Sequence, residues 1–167
     1  YWPRYVLDAS GRDTFLANRL TKKTINKYTN PAAVYAHYRG VERRPGEFAG
    51  YITIHLAEDG WFWMIPLSPT KMSVGVVMDT AKFRELRSTP ENVLQQSLDM
   101  LPVMKDRLEK SQRCTPVQSS GEYSYKMGAL HGDRWLLAGD AAGFIDPVFS
   151  SGIFLAVLGA EQAADAI

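Results

Sequence analysis

From Ala32 to Asp79 the apolar positions recur with period two, the mark of strands that offer a different face to either side. Val34, Ala36 and Tyr38 alternate with Tyr35, His37 and Arg39. Ile52, Ile54 and Leu56 alternate with Tyr51, Thr53 and His55, and Met72, Val74, Val76 and Met78 with Ser73, Gly75 and Val77. Gly46 lies in the first connection, while Glu58-Asp59-Gly60 and Leu67 to Thr70 carry turn chemistry, so the segment predicts an antiparallel meander. One of its faces is aliphatic and the other aromatic-polar. The second suits a wall beside a bound aromatic molecule, and an exposed outer face has the same pattern. Trp61 and Trp63 share one side of the third strand, with Phe62 and Met64 on the other. Tryptophans so paired are equally large fillers or cross-strand partners.

Beyond Asp79 the period turns helical. Thr89-Pro90-Glu91 supplies a cap, a proline for the first helical position and an acid for the first turn; Leu94, Leu98 and Leu101 then fall at i, i+4 and i+7. Gln95, Gln96 and Asp99 form the solvated side, and Pro102 interrupts before a second helical piece over 103–110. Val117 to Met127, with Tyr123 and Tyr125 at period two, reads as a returning strand that leads through His131-Gly132-Asp133 into the next. Before the sheet, Tyr5-Val6-Leu7 reads as a buried strand ending at Asp8, and a short helix follows with Phe15, Leu16 and Leu20. Asp8 either caps that helix or faces a ligand. Thr21 to Pro31 has no clean period and reads as a crossing loop.

Near the C-terminal end, Trp135 to Ala138 is uninterrupted by polar residues and predicts a buried strand. Ile153 to Ala166 predicts a helix that Ser150 or Ser151 can cap; it is apolar nearly all round and so is expected to be buried, with Gly152, Ala156, Gly159, Ala160 and Ala163 keeping it thin. Between strand and helix lie Gly139-Asp140, Gly143 and the stiff Asp146-Pro147 step. A carboxylate just past a strand end accepts a hydrogen bond from a sugar-like hydroxyl, Gly139 permits close backbone approach, and the first helix amides favour an anion. A flavin offers both partners: ribityl hydroxyls for Asp140, and a reduced pyrimidine edge for the amides around Ser151, Gly152 and Ile153. A Gly-Asp pair by itself is also what any α/β strand-to-helix turn contains.

The run Gly139-Asp-Ala-Ala-Gly-Phe-Ile-Asp-Pro-Val-Phe-Ser-Ser-Gly-Ile153 closely resembles the second flavin-binding motif of the flavin-dependent halogenases, within the wider class of aromatic FAD monooxygenases. Trp61-Phe-Trp-Met-Ile-Pro66 resembles their Trp-x-Trp-x-Ile-Pro signature, and Val6-Leu-Asp-Ala-Ser-Gly-Arg12 the segment that ends their nucleotide-binding portion. The three occur in family order and span nearly the whole chain. The resemblance implies an α/β chain (α+β as a fragment): part of an FAD-binding Rossmann-like domain plus an antiparallel substrate-domain sheet. Residues 1–31 would end the FAD-binding portion, 32–127 would form the substrate-side sheet with covering helices, and 128–167 the FAD-binding strand, loop and helix. It implies cofactor contacts from Asp8, Gly139, Asp140, Pro147, Ser151, Gly152 and Ile153, a halide at Ser151 and Gly152, and substrate-side walls at Trp61 and Trp63. It implies an enzyme that oxidises halide with a flavin peroxide made from oxygen and FAD reduced by a separate flavin reductase, and then halogenates an aromatic substrate. The family's catalytic lysine belongs to an N-terminal portion, so no catalytic residue is expected here. Tryptophan halogenases have a glutamate before the Ser-x-Gly-Ile segment, where this chain has Phe149. That departure resembles halogenases of phenols and of carrier-bound pyrroles.

Composition narrows the field further. The 167 residues are 46% hydrophobic and 22% charged, ordinary for a globular core, yet about half or less of what the family resemblance leads one to expect. No Gly-x-Gly-x-x-Gly occurs, and the chain stops at Ile167 inside a helical pattern, so an internal fragment is expected. A net charge of +1, from 19 basic and 18 acidic residues that intersperse, argues against nucleic acid as a partner. Cys114 is the one cysteine, and His37, His55 and His131 are too far apart for a local ligand motif, so no metal is expected. The longest apolar run is far below the roughly 20 residues that span a bilayer, and a cytoplasmic enzyme is the default. Two other readings share the scaffold or the truncation: a flavin hydroxylase or isoprenoid reductase, and a non-enzymatic binding remnant.

Overall fold

The computed structural model describes residues 2–26, 31–121 and 123–167. Two units make up the chain, Tyr1–Asn30 with Glu122–Ile167, and Pro31–Gly121. The first begins with β1 (Val6–Asp8), a 3-10 turn at Gly11–Asp13, α1 (Ala17–Leu20) and β2 (Lys23–Ile25). Strand β2 replaces part of the expected crossing loop, whose residues 27–30 lie outside those described.

The second unit follows: β3 (Pro31–Arg39), a 3-10 turn at Gly46–Gly50, β4 (Thr53–Ala57), β5 (Gly60–Ser68), β6 (Lys71–Asp79), α2 (Thr80–Glu85), α3 (Pro90–Met100), α4 (Pro102–Leu108), β7 (Gln112–Arg113) and β8 (Gln118–Gly121). All its strands pair antiparallel in the order β4-β5-β6-β3-β7, with β8 also on β3. The expected meander holds only for β4 to β6; β3 joins the far edge of β6, a Greek-key arrangement. Packing explains the placement. Ala32, Val34, Ala36 and Tyr38 lie opposite Met78, Val76, Val74 and Met72, so the two strands merge into one aliphatic face. Val93, Leu94, Leu98 and Met104 of α3 and α4 close over that face and are buried in the same cluster. Removing a side chain such as Leu94 or Leu98 costs on the order of 2–5 kcal/mol in such surroundings. Helix α3 starts where expected, the Thr89 hydroxyl accepting from the Asn92 amide at 3.3 Å and Pro90 taking the first turn.

The first unit resumes with β9 (Tyr125–Met127), β10 (His131–Gly132), β11 (Trp135–Leu137), a 3-10 turn at Gly139–Ala141, β12 (Gly143–Phe144), a further one at Pro147–Phe149, and α5 (Gly152–Asp165). The predicted strand over 117–127 is therefore two: β8 stays with the large sheet, whereas β9 pairs with β2 and β12. The boundary expected at 127 moves accordingly. Strand β1 runs parallel to β11, with Val6 beside Trp135 and Asp8 beside Leu137, and β10 takes the other edge. A small core of Ala17, Tyr125, Met127 and Leu137 lies beneath.

Two burial expectations are corrected here. Tyr5, Val6 and Leu7 are exposed, and Trp135 and Leu136 only half-buried. Helix α5 is uncovered on its bulky side: Ile153 is 82% exposed, Phe154 and Val157 are also open, and among its residues only Ala163 is buried. The cause is which face does the packing. Ala156 and Gly159 sit against Gly139 and Ala138, so the small residues make the contacts and the large ones point away.

Candidate functional site

The end of β1 is fixed by Asp8. One carboxylate oxygen accepts from the Ser10 amide at 2.9 Å, and the other from Leu16 and Ala17 at 2.7 and 3.2 Å. The residue is 5% exposed. Burial acts to raise its pKa, but the Ser10, Leu16 and Ala17 hydrogen bonds outweigh it and hold the carboxyl below its ordinary value. The carboxylate expected to face a ligand is thus spent on the turn and the start of α1. Its chain neighbours Leu7, Ala9 and Gly11 are the residues that line a groove.

Across the same groove, β11 runs into the 3-10 turn through Gly139, whose φ of +58° is in the left-handed region that favours glycine. Ala138 donates to the Asp8 carbonyl at 3.0 Å, and the Tyr125 hydroxyl donates to the Asp140 carbonyl at 2.7 Å, so the turn is pinned from two sides. Proximity to Asp140 adds to burial in raising the Tyr125 pKa. The half-buried Asp140 carboxylate itself has no hydrogen-bond donor among the described residues.

The loop beyond is stiff for local reasons. Asp146 accepts from the Val148 amide at 3.1 Å, Pro147 opens the 3-10 turn, and Ser150 closes it at φ +53°, donating its amide to Pro147 at 2.8 Å. Ser151 then takes the cap position of α5, but its side chain makes no capping bond. The first amides of a helix have no acceptor within it, so this 14-residue helix presents an unsealed positive end.

These parts meet. A groove of about 460 Å³ is lined by Leu7, Gly11, Gly139, Asp140, Gly152 and Ile153 among others. Beside it a small cavity of about 30 Å³ is lined by Gly139, Asp140, Pro147, Ser151 and Gly152. The sequence-derived cofactor and halide candidates therefore converge, with the Asp8 side chain as the exception. Residues that the sequence did not single out support the wall: Arg12 lies 5.7 Å from the Phe144 ring centre and 5.8 Å from that of Tyr123, and the Lys23 ammonium 3.7 Å from that of Tyr125. The Tyr123 hydroxyl is buried without a partner, and burial followed by the charge of Asp146 pushes its pKa up.

In the second unit Trp61 and Trp63 lie on the sheet face opposite α3 and α4, opposite Val77 and Gly75 respectively. Trp61, Trp63 and Tyr35 form a stack with ring centres 5.7 Å apart. Trp63 is buried; its indole N–H donates to the Ser73 hydroxyl at 3.0 Å, and its ring occupies the space above Gly75. Trp61 is half-buried. The expected pair thus divides, Trp63 filling the stack and Trp61 keeping an open surface.

The tryptophan halogenase family profile matches residues 3–166. The chain is 33% identical to a 1H-pyrrole-2-carbonyl-[peptidyl-carrier protein] brominase from Pseudoalteromonas luteoviolacea over 98% of this chain and 41% of that protein. It is 32% identical to the corresponding chlorinase from Pseudomonas fluorescens, over 96% and 37%. It is also 34% identical to a tryptophan 2-halogenase from Chondromyces crocatus, over 98% and 32%. Among solved structures it superposes on the flavin-dependent brominase Bmp2 with a TM-score of 0.91 and 34% identity, covering 98% of this chain and 42% of that one. The myxobacterial chondrochloren halogenase CndH gives 0.86 and 32%, over 93% and 37%. The chain spans about two fifths of the length of the first of these relatives. With the groove assembled from two of the three motifs and this match along nearly its whole length, the chain belongs to the tryptophan halogenase family of flavin-dependent halogenases.

Proposed function

We propose that this chain is the flavin-ring and substrate-side portion of an FAD-dependent halogenase that acts on a phenol- or pyrrole-type aromatic, presented by a carrier protein as the names of the pyrrole-specific relatives state for them. The observation that carries the reading is the convergence, in one groove, of the unpartnered Asp140 carboxylate and the unsealed N-terminus of α5. The groove fits the cofactor by size and lining. Its volume is in the range of small-molecule sites, its walls are apolar or glycine apart from Asp140, and a methyl group added at Gly152 meets nothing within 4 Å. Bound FAD, once reduced, would activate molecular oxygen, which is the two-electron oxidant for the halide. Asp140 accepts from a ribityl hydroxyl, and the amides of Ser151, Gly152 and Ile153 stabilise negative charge on the ring edge. The 30 Å³ cavity has room for about one small ion beside the Ser151 and Gly152 amides, which suits a halide. Trp61 walls the substrate side. Reduced FAD arrives from a separate flavin reductase, and the enzyme works in the cytoplasm; no helix of the described residues is long and apolar enough to cross a membrane.

Replacing Asp140 with alanine is expected to weaken FAD binding about tenfold, roughly 1.4 kcal/mol, with the fold intact. Fluorescence titration of the deflavinated enzyme measures this, and an unchanged Kd would remove Asp140 from the site. Anomalous scattering from bromide-soaked crystals is expected to place an ion beside Gly152. Density elsewhere, with none at the start of α5, would refute the halide assignment.

A further inference from the structure

Charge in the second unit is gathered at one end of its sheet. Segments 39–47, 68–71 and 105–113 carry eight Lys or Arg and four Asp or Glu (Glu42, Glu47, Asp106 and Glu109), an excess of four positive charges in a chain whose net charge is +1. The topology brings these segments together. Arg39, at the end of β3, lies directly opposite Lys71 on β6 and opposite Gln112 on β7, next to Arg113. The Glu42 amide donates to the Arg107 carbonyl at 3.0 Å, and the Arg107 guanidinium donates back to the Glu42 carbonyl at 3.0 Å. Arg43 ties the loop to the Ala49 and Ser68 carbonyls.

Among the described residues no ion pair within 4.0 Å involves Arg39, Arg44, Lys71, Arg107 or Arg113. Two like charges directly across a ladder are destabilising, as Arg39 and Lys71 are placed. The repulsion extends into the cluster: burial and then Arg44 hold Arg107 below its usual pKa despite Glu42, and burial, Arg107 and Arg44 do the same to His55. Beside them is an aromatic centre. Phe48 and Tyr51 are 43% and 55% exposed, pack edge to face at 5.3 Å, and Arg44 lies 5.6 Å from the Phe48 ring centre. Exposed aromatics flanked by arginine are the composition of a protein-binding patch, and the uncompensated charge selects an acidic partner.

We propose that this end of the sheet, with Phe48 and Tyr51 beside Arg44 as anchors and Arg39, Lys71 and Arg113 further along the same end, docks the acidic surface of the carrier protein that presents the substrate. The proposal rests on the carrier-bound reading above. The patch uses no residue of the flavin groove, so binding there is separable from chemistry.

The test uses the complete enzyme and, as probe, a fluorescently labelled peptidyl-carrier domain loaded with 1H-pyrrole-2-carbonyl. Anisotropy is expected to show binding that weakens with salt, and the double variant Arg44→Glu, Arg113→Glu is expected to raise Kd about tenfold or more and to flatten the salt dependence. Turnover of the free pantetheine thioester of the same acyl group stays unchanged. Should the double reversal fail to fold by circular dichroism, Arg44→Gln with Arg113→Gln is expected to shift Kd in the same direction by less. Unaltered carrier affinity in a folded variant overturns the docking surface while leaving the carrier-bound reading intact. Absence of carrier binding by the unmodified enzyme overturns both, and so does tighter binding of a single-stranded oligonucleotide than of the carrier.

Discussion

Gly75→Ala is expected to cost the protein about 2–4 kcal/mol of stability and to shift tryptophan emission to longer wavelength. A methyl group at this position would lie 2.4 Å from a ring carbon of Trp63 and 2.6 Å from the β-carbon of Tyr35. Neither neighbour yields easily. Tyr35 faces Gly75 across the β3–β6 ladder at its β-carbon, which moves only with the backbone, and Trp63 is buried in a stack. The indole would have to lift from the sheet and give up its 3.0 Å bond to Ser73. Overpacking contributes about 1–3 kcal/mol and the hydrogen bond about 1 more. Chemical denaturation followed by fluorescence measures both quantities. A Gly75→Ala protein with native stability and native emission would show that the stack is not seated in this way.

Asp8→Ala is expected to lower stability by about 3 kcal/mol at neutral pH, because three amides, that of Ala17 buried and those of Ser10 and Leu16 partly so, lose a charged acceptor at once. The folded carboxyl titrates below its ordinary value near 3.8, so its contribution is complete above that pH and disappears as pH falls through the lower, folded value. The gap between the two proteins should therefore be constant from neutral pH down to about 5 and close below about 4. Denaturant midpoints across this range provide the measurement. A gap that persists undiminished in acid would assign the loss to packing and not to the carboxylate.

Faces were legible in the sequence where period two or the helical period was clean, because those patterns report which side of an element is apolar. Phe62 and Met64 on one side of β5, Trp61 and Trp63 on the other, and the α3 cap at Thr89 all follow from them. Neighbours were not legible. Nothing in the alternation of Val34, Ala36 and Tyr38 says that β3 pairs with β6 and not β4; that choice is made by two aliphatic faces merging. Strand β2 carries too few residues for a period, and its lysine is accommodated by the Tyr125 ring, which only the folded chain brings to it. Candidate site residues contiguous in sequence, from Gly139 to Ile153, could be read directly, whereas Arg12 and Tyr125 could not, since they reach the site through pairing at long range. Apolarity in α5 states that a face is suited to being covered, and says nothing about which residues do it.

The division of the chain sets an order of assembly during synthesis. Pro31–Gly121 is continuous, so all the strands of the large sheet are available once Gly121 has emerged from the ribosome. Strand β1 has no such position: Val6, Leu7 and Asp8 pair with Trp135, Leu136 and Leu137, which are translated only after that whole unit. At typical elongation speeds the early strand waits on the order of ten seconds for its partner, during which an entire unit completes between the two halves of the other. Closing so long a loop is slow even though the extra entropy per residue is small. Throughout that interval Val6, Leu7 and Asp8 are without the β11 edge on which they lie in the folded chain.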